Sequence, residues 1–429
     1  MTIRGQSHGR FSHKSLSFGS DQDPTGRIFI SSAGTSDLSG IEICGVSVDT
    51  VYQIYRGIVN IDVYEKVLSL SESVDGNIFF DGPSCPVGYI FTDGQWHVGK
   101  VGKVSGYHLK LQNNALGIVV LLKNAYSEVD KEGSHLKIKL SHHFIRKYGY
   151  GMIQEKMDEI ASIFLKSFIP SGVAVHLAAD VEGWQPPVDF MERFVTHSRT
   201  VRRYDGINSL EFEDLSDISV TYGDGKTMMF GKAGSLQVAI YNKGDEIIKS
   251  DKVDYYHTFW DEYTGISGSY EHSIWRVELR FHHSVVREIG NGFGSQFDSW
   301  NVVYPYLTDF WKYGLKRNRL DYNSTYIDPF WQLLIEDVVF VKVKGIEVKR
   351  KKKEDPSGIQ KNISLIIGNL ITLYAREGFN ADDVMVELRK LSFWPLVVRS
   401  YEMRGKSISD IKQQIAKGLC YRRLIGRAA

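Results

Sequence analysis

The 429-residue chain predicts an α+β fold: an antiparallel or mixed sheet with helices packed on it, followed by a small C-terminal helical module. Three observations predict it. Short apolar runs bounded by Gly, Pro, Asn and Asp recur between about residues 46 and 283, with the alternation of strands. One 17-residue stretch, "MIQEKMDEIASIFLKSF" at 152–168, carries its apolar residues at helical spacing instead. Past residue 360 the strand signals stop and only helical patterns remain.

Residues 1–40, rich in Ser, Gly and other polar residues with little periodicity, read as a mobile arm. Order begins near "VDTVYQIY" (48–55), the first strand. Further strand-like runs follow at "GNIFF" (76–80), "GIVVLL" (117–122) and "HLKIKLS" (135–141). In the 152–168 helix, Met152, Met157, Ile160, Ile163 and Phe164 fall on one stripe. "VAVHLAADV" (173–181) is short, preceded by Pro170, Ser171 and Gly172 and closed by Gly183, Trp184, Pro186 and Pro187, so it reads as a buried strand. "PVDFMERFVTHS" (187–198) reads as a second helix with proline at its start. "DISVTYG", "GKTMMFG" and "SLQVAIYNK" are strands joined by Gly-Asp-Gly and Gly-Lys-Ala-Gly hairpin turns, and "SIWRVELRFHH" is one more. These elements make one domain over residues 41–335.

"VKRKKKEDPSG" (348–358) marks a basic linker, taken as 336–360, and 361–429 is the helical module. Its helices are "KNISLIIGNLITLYARE", "NADDVMVELRKLSFW" capped by Asn380, and "SISDIKQQIAKGLCYRRLIG" capped by Ser407 or Ser409. From residue 340 onward 19 Lys and Arg stand against 9 Asp and Glu, although the whole chain carries a net charge of only +1. One end of the molecule is therefore suited to an anionic partner, with Lys349, Arg350, Lys351, Lys352 and Lys353 as its densest run, whose other reading is a solvated face. Three scattered cysteines, Cys44, Cys85 and Cys420, fit neither a disulfide framework nor a zinc pattern. With no apolar run long enough to span a membrane and no signal-peptide core, a cytoplasmic protein is expected.

Two stretches carry candidate chemistry. Tyr241 ends an apolar strand and is followed by Asn242, Lys243 and Gly244; a phenol beside a cation is either an amphipathic rim residue or a nucleophile. In "IWRVELRF", Arg276, Glu278 and Arg280 share one strand face. They form a salt-bridge ladder, or a metal-ligating carboxylate flanked by guanidiniums for phosphate oxygens. His282 and His283 are expected on opposite faces, so that at most one joins that site. On the 173–181 strand, His176 and Asp180 share a face but lie ~13 Å apart, too far for one ion to bind both. "GDGKT" (223–227) lacks the upstream glycine and following helix of a P-loop, and "GNGFGSQ" (290–296) lacks dinucleotide spacing.

Taken in order, "VAVHLAADV", "YGDGKTMMFGKAGSLQVAIYNKGDE" and "IWRVELRF" resemble the replication initiation factor family of rolling-circle plasmids and phages, which includes relaxases of integrative conjugative elements and is related to the HUH endonucleases. The resemblance spans about residues 46–335. It departs from the family's pattern in the first block, where Arg-x-Asp followed four residues later by Asp is here Ala174, His176 and Asp180. What the resemblance implies is an HUH-like nuclease domain that nicks single-stranded DNA at a replication origin and rejoins it. Tyr241 would be its nucleophile, with Lys243 beside it. His176 and Glu278 would hold a divalent metal, Mn²⁺ or Mg²⁺, with Asp180 orienting a helper or holding the fold, and Arg276 and Arg280 would receive phosphates. Aromatics such as Tyr222, Phe230 and Trp275 are candidates to stack unpaired bases, with core packing as the other reading for most of them. Partners would be single- and double-stranded DNA and host helicase and polymerase. Rival readings are a conjugative relaxase with the same chemistry and an origin-binding protein without catalysis. A tyrosine recombinase is disfavoured, because its nucleophile sits on a helix near the C-terminus.

Overall fold

The computed structural model describes residues 28–31, 34–38, 40–72, 77–78, 96–101, 106–196, 198, 201–204, 227–232, 234–267, 270, 273–323, 326–351, 357–402 and 407–424. The fold is α+β. Its strands, in chain order, are β1 (Ile28–Ser31), β2 (Gly34–Asp37), β3 (Glu42–Val59), β4 (Asn77–Ile78), β5 (Trp96–Lys100), β6 (Tyr107–Asn113), β7 (Ile118–Asn124), β8 (Gly133–Ser141), β9 (Leu165–Glu182), β10 (Phe194–Thr196), β11 (Val201–Tyr204), β12 (Thr227–Phe230), β13 (Leu236–Asn242), β14 (Ile274–Phe281) and β15 (Asn318–Leu320). Eleven form one sheet in the order β11-β12-β13-β14-β9-β3-β8-β7-β6-β5-β4. Every neighbouring pair in it is antiparallel.

The centre of the sheet is the pairing of β3 with β9, each 18 residues long and matched along its length. Alternation then sorts the side chains. Val175, Leu177, Val277 and Leu279 enter a core with residues of the helices His283–Phe293, Leu307–Arg317 and Pro329–Asp337, among them Ile289, Phe310 and Trp331. Gly314 is what lets the second of these helices press so close: a Cβ there would lie 2.4 Å from a methyl of Leu279. The other face of the same strands is polar and is covered in part by the helix Val253–Thr264, through Tyr256, Phe259 and Trp260. Helices Ile61–Glu72 and Ile153–Phe164 bury Val67, Met157 and Ile160 in the main core.

Several expectations meet corrections. The 187–198 helix shrinks to Phe190–Arg193, because Phe194–Thr196 is drawn off as β10 to pair with β15, burying all three residues. The helices Ile61–Glu72, Lys243–Lys249 and Val253–Thr264 were not anticipated between the strands. Residues 28–31 and 34–37, placed in the arm, pair as β1 and β2, and Leu38 is buried; residues 1–27 lie outside the described residues, as does "DISVTYG" with Tyr222. The strand of "IWRVELRFHH" ends at Phe281. His282 caps the next helix and His283 begins it, which brings the two imidazoles to 3.9 Å, tilted 46° to each other, instead of on opposite faces.

The chain divides into compact units between Lys351 and Lys352, inside the stretch read as a linker. Residues up to 351 belong to the first unit: the Lys351 amide donates to the Glu288 carbonyl (2.9 Å), and Arg350 pairs with the Glu288 carboxylate. The second unit contains four helices among the described residues, Ser357–Arg376, Ala381–Lys390, Trp394–Glu402 and Ile408–Leu424, one more than the pattern suggested. Its own core includes Ile367, Ile371, Val384, Leu388 and Ile415. Asn380 caps the second helix in a reciprocal capping box with Asp383, and Ser407 Oγ accepts from the Asp410 amide at 3.3 Å. No helix of the described residues is long and apolar enough to cross a membrane.

Gly45 on β3 faces Phe259 and Trp260, and a Cβ there would lie 2.7 Å from the Phe259 ring. Gly45→Ala is therefore expected to push the Val253–Thr264 helix outward and cost about 1–3 kcal/mol in denaturant unfolding of the first unit. An unchanged midpoint would show that this helix is not held against β3.

Candidate active site

Four strands, β13, β14, β9 and β3, lay the candidate residues out on the polar sheet face. Register sets their rows: Tyr241 stands opposite Arg276, which stands opposite Asp180, while Arg280 stands opposite His176. Glu278 lies between two alanines, Ala239 and Ala178, whose small side chains leave room beside its carboxylate for Tyr241, His176 and Arg280 to reach it.

The β3 contribution depends on an irregularity. Val48 pairs with Leu177 and Thr50 with His176, so Asp49 is an extra residue with no partner on β9. Such a bulge re-aims a side chain. It places the Asp49 carboxylate so that Asp49, His176 and Glu278 each offer a ligand atom within 4.8 Å of the others, the one such group of three among the described residues.

Arginines hold both carboxylates. Arg276 is fully buried, with Nε and Nη2 on Asp180 at 2.6 and 2.8 Å and Nη1 on Asp49 at 2.6 Å. The Trp260 indole donates to the same Asp180 carboxylate at 2.8 Å. Arg280 forks onto Glu278 through Nε (2.8 Å) and Nη2 (3.0 Å), His176 Nδ1 lies 3.2 Å from Glu278 Oε1, and the Tyr241 hydroxyl donates to Oε2 at 3.3 Å. Burial works against ionising Glu278, but Arg280 and His176 outweigh it and hold the carboxyl well below its ordinary range. Asp49 is held low in the same sense: burial and Glu278 oppose its charge, and Arg276, Lys243 and His176 overcome them. Burial and the Glu278 charge push the Tyr241 phenol well above 10. Burial and Arg276 pull Lys243 down.

Two ionised carboxylates and an imidazole form a donor set that suits a divalent cation, with the imidazole favouring Mn²⁺ over the harder Mg²⁺. A cleft of about 710 Å³ opens over Asp49, Tyr241 and Lys243, with Lys139, Lys252 and Tyr255 on its walls.

The structure thus brings together His176, Glu278 and Tyr241 and adds Asp49, which the sequence reading missed; its trace was a lone acid inside the apolar run "VSVDTVYQIY". Asp180 is outside the cluster and holds Arg276 instead. Arg276, expected to receive phosphate, has all three nitrogens committed to Asp180 and Asp49 in a fully buried position. Lys243 pairs with Glu246 and sits 4.0 Å above the Tyr256 ring. Phe230 and Trp275 are not base platforms: both are buried, Phe230 against Phe194 and Trp275 against Trp184. Lys349 pairs with Glu347 on the surface, Lys351 is exposed, and Lys352 and Lys353 lie outside the described residues.

Two outcomes test this arrangement. Asp180→Asn leaves the buried Arg276 guanidinium half-compensated, and about 3–5 kcal/mol of stability should be lost; a drop under 1 kcal/mol would show that Arg276 does not depend on Asp180. His142, buried beside the cleft, is held down to about 3 by burial. The unfolded chain protonates this imidazole near 6.5, so below that pH the unfolded state binds an extra proton and stability falls, at roughly 1 kcal/mol per pH unit. His142→Gln should remove that share of the decline between pH 6.5 and 4.5, as read from unfolding at several pH values; an unaltered slope would contradict it.

The chain is 33% identical over 426 residues to protein ORF430 of Pseudomonas phage Pf1, an alignment covering 94% of each chain. No protein-family model matches it, and no solved structure matches it.

Proposed function

The chain belongs to the family of the Pseudomonas phage Pf1 protein ORF430, and from that premise we propose that it initiates rolling-circle replication of a phage genome as a metal-dependent DNA strand-transferase. The observation that carries the reading is the contact between the Tyr241 hydroxyl and Glu278 Oε2, 3.3 Å long, because it sets a candidate nucleophile against a member of the three-ligand cluster, with Tyr241 and Asp49 both lining the cleft. The order of the three sequence blocks supports it independently.

Asp49, His176 and Glu278 would hold the cation. When bound, a divalent cation supplies Lewis-acid polarisation of a phosphate oxygen. Tyr241 Oη then attacks the phosphorus, its proton leaving along the hydrogen bond toward Glu278 Oε2. The bond to the 3′ oxygen breaks and that oxygen takes up a proton from water, which in turn receives the one released by Tyr241, leaving a 5′-phosphotyrosyl protein and a strand that ends in a 3′-hydroxyl for a host polymerase to extend. The raised phenol and the depressed Glu278 keep that proton on Tyr241 at rest, so attack waits for substrate and cation together. A second transfer to the 3′ end reseals the strand. The basic stretch beyond residue 340 would supply contacts to single- and double-stranded DNA at the origin. Conjugative relaxation would use the same chemistry; the phage relative favours replication.

Incubation with single-stranded DNA and Mn²⁺, read on a denaturing gel, should give a covalent adduct that Tyr241→Phe abolishes without altering the melting temperature. An adduct that persists on Tyr255 would move the nucleophile, and the absence of any adduct from the unaltered protein would leave a DNA-binding protein without catalysis. Asp49→Asn should raise the Mn²⁺ concentration needed for half-maximal adduct by about 10-fold or more, and His176→Asp should move the preference toward Mg²⁺.

A further inference from the structure

Beside the cation cluster, strand β3, the helix His142–Tyr148 and the helix Val253–Thr264 line a second hollow of about 340 Å³. Ser47 lies in its wall, two residues before Asp49 on β3 and opposite Ala178, on the face that carries Asp180 and Glu278. His142 lines both this hollow and the cleft over Tyr241, so the two adjoin. Ser47 and His142 are 4% and 6% exposed. His142 Nδ1 lies 3.1 Å from the Tyr255 hydroxyl, but neither His142 Nε2 nor Ser47 Oγ has a hydrogen-bond partner among the described residues. Buried polar atoms are rarely left without one, so whatever fills the hollow is expected to supply it. Tyr255 also takes a hydrogen bond from Arg146, so its own proton goes to His142 Nδ1, and the imidazole, kept neutral by burial, carries its proton on Nε2. The lining thus offers one N–H donor and one hydroxyl. Where it meets solvent, Tyr263 is 45% exposed, its ring centroid 6.5 Å from that of Phe259, and Arg146 pairs with Glu262.

We propose that this hollow seats one unpaired nucleobase of the strand whose phosphate meets Asp49, His176 and Glu278, stacked on Tyr263 and hydrogen-bonded at its edge by His142 Nε2 and Ser47 Oγ. The proposal rests on the strand-transferase reading for the identity of the strand. Its size suits a base, since about 340 Å³ is at the lower end of the range of ligand pockets and has room for one flat heterocycle. Its chemistry selects against the alternatives. A phosphate is disfavoured because Arg146 is already paired with Glu262, whose carboxylate belongs to the same lining. A wholly apolar ligand would leave Ser47 and His142 unpaired. Position then connects the hollow to the strand, because His142 borders both spaces and a base beside it continues a strand lying in the cleft. Tyr263, Ser47 and His142 would determine specificity, setting which nucleotide sits beside the scissile phosphate without touching the reacting atoms.

The test uses the full chain in EDTA, so that no cleavage intervenes, and two fluorescein-labelled single-stranded oligonucleotides of equal length, one of mixed sequence and one abasic throughout. Tyr263→Ala removes the ring and Ser47→Leu fills the hollow. Each should weaken binding of the mixed-sequence strand about 10-fold. Affinity for the abasic strand and the log–log salt dependence should not change, because the phosphates are the same in both. Tyr263→Phe should bind like the unaltered protein. Equal melting temperatures check folding, and the exposed position of Tyr263 lets its variants carry the test if Ser47→Leu does not fold. Equal weakening on both strands would make these residues phosphate contacts, and unchanged affinity for the mixed-sequence strand would leave the hollow without a base; either result overturns the proposal. So does a rise in melting temperature with the four free deoxynucleosides that Tyr263→Ala abolishes while oligonucleotide affinity stays the same, which would make this a site for a free nucleoside. An adduct on Tyr241 with no effect of either variant refutes the base seat alone. A loss confined to the mixed-sequence strand, with no adduct on any tyrosine, refutes the strand-transfer reading alone and leaves the base seat standing.

Discussion

The fully buried guanidinium of Arg276 is the constraint on which the rest of the site depends. It joins three adjacent strands, taking both oxygens of Asp180 on β9 and one of Asp49 on β3 from its own place on β14. Taking such a charge out of water costs several kcal/mol, which only near-complete pairing offsets. The pairing is completed by the Trp260 indole on Asp180 and by the Tyr256 ring, whose centroid lies 5.2 Å from the guanidinium carbon. Asp49 needs this anchor more than any other residue, since a bulge residue has no ladder partner to fix its direction. Held by Arg276, it points across the sheet at His176 and Glu278.

The second consequence is electrostatic. Two carboxylates within 4.8 Å of each other would ordinarily force one to take up a proton. Here each has its own arginine behind it, Arg276 for Asp49 and Arg280 for Glu278, so both stay ionised with His176 between them. Two ionised carboxylates and an imidazole are a donor set that suits a divalent cation. Tyr241 sits where the same charges have the opposite effect, its phenol kept neutral by burial and by Glu278. The ionised carboxylates and the neutral phenol thus come from one arrangement of charges.

How much of this was legible follows from strand geometry. A period of two was enough to put Arg276, Glu278 and Arg280 on one face and to separate His176 from Asp180, and the order of three short blocks singled out Tyr241. Asp49 was hidden because a bulge breaks that period, and nothing in "VSVDTVYQIY" says which residue goes unpaired. Arg276 looked like a phosphate ligand because its partners, Asp49 and Asp180, lie 227 and 96 residues away in the chain. The helix after Tyr241 was in principle readable. Asn242 caps it, and Asp245 and Glu246 fill its first turn, but the apolar strand before it drew the reading past that signal. The 187–198 segment shows the reverse error, a local helical pattern overridden by pairing with β15, more than 120 residues on.

The central claim is that Asp49, His176 and Glu278 form a cation site at the hydroxyl of Tyr241. It is tested most directly by growing crystals of the full chain in Mn²⁺ and collecting data near the manganese absorption edge. One anomalous peak in contact with Asp49, His176 and Glu278 is the expected result. A peak at Asp180, or a well-ordered site without any peak at saturating Mn²⁺, would contradict it.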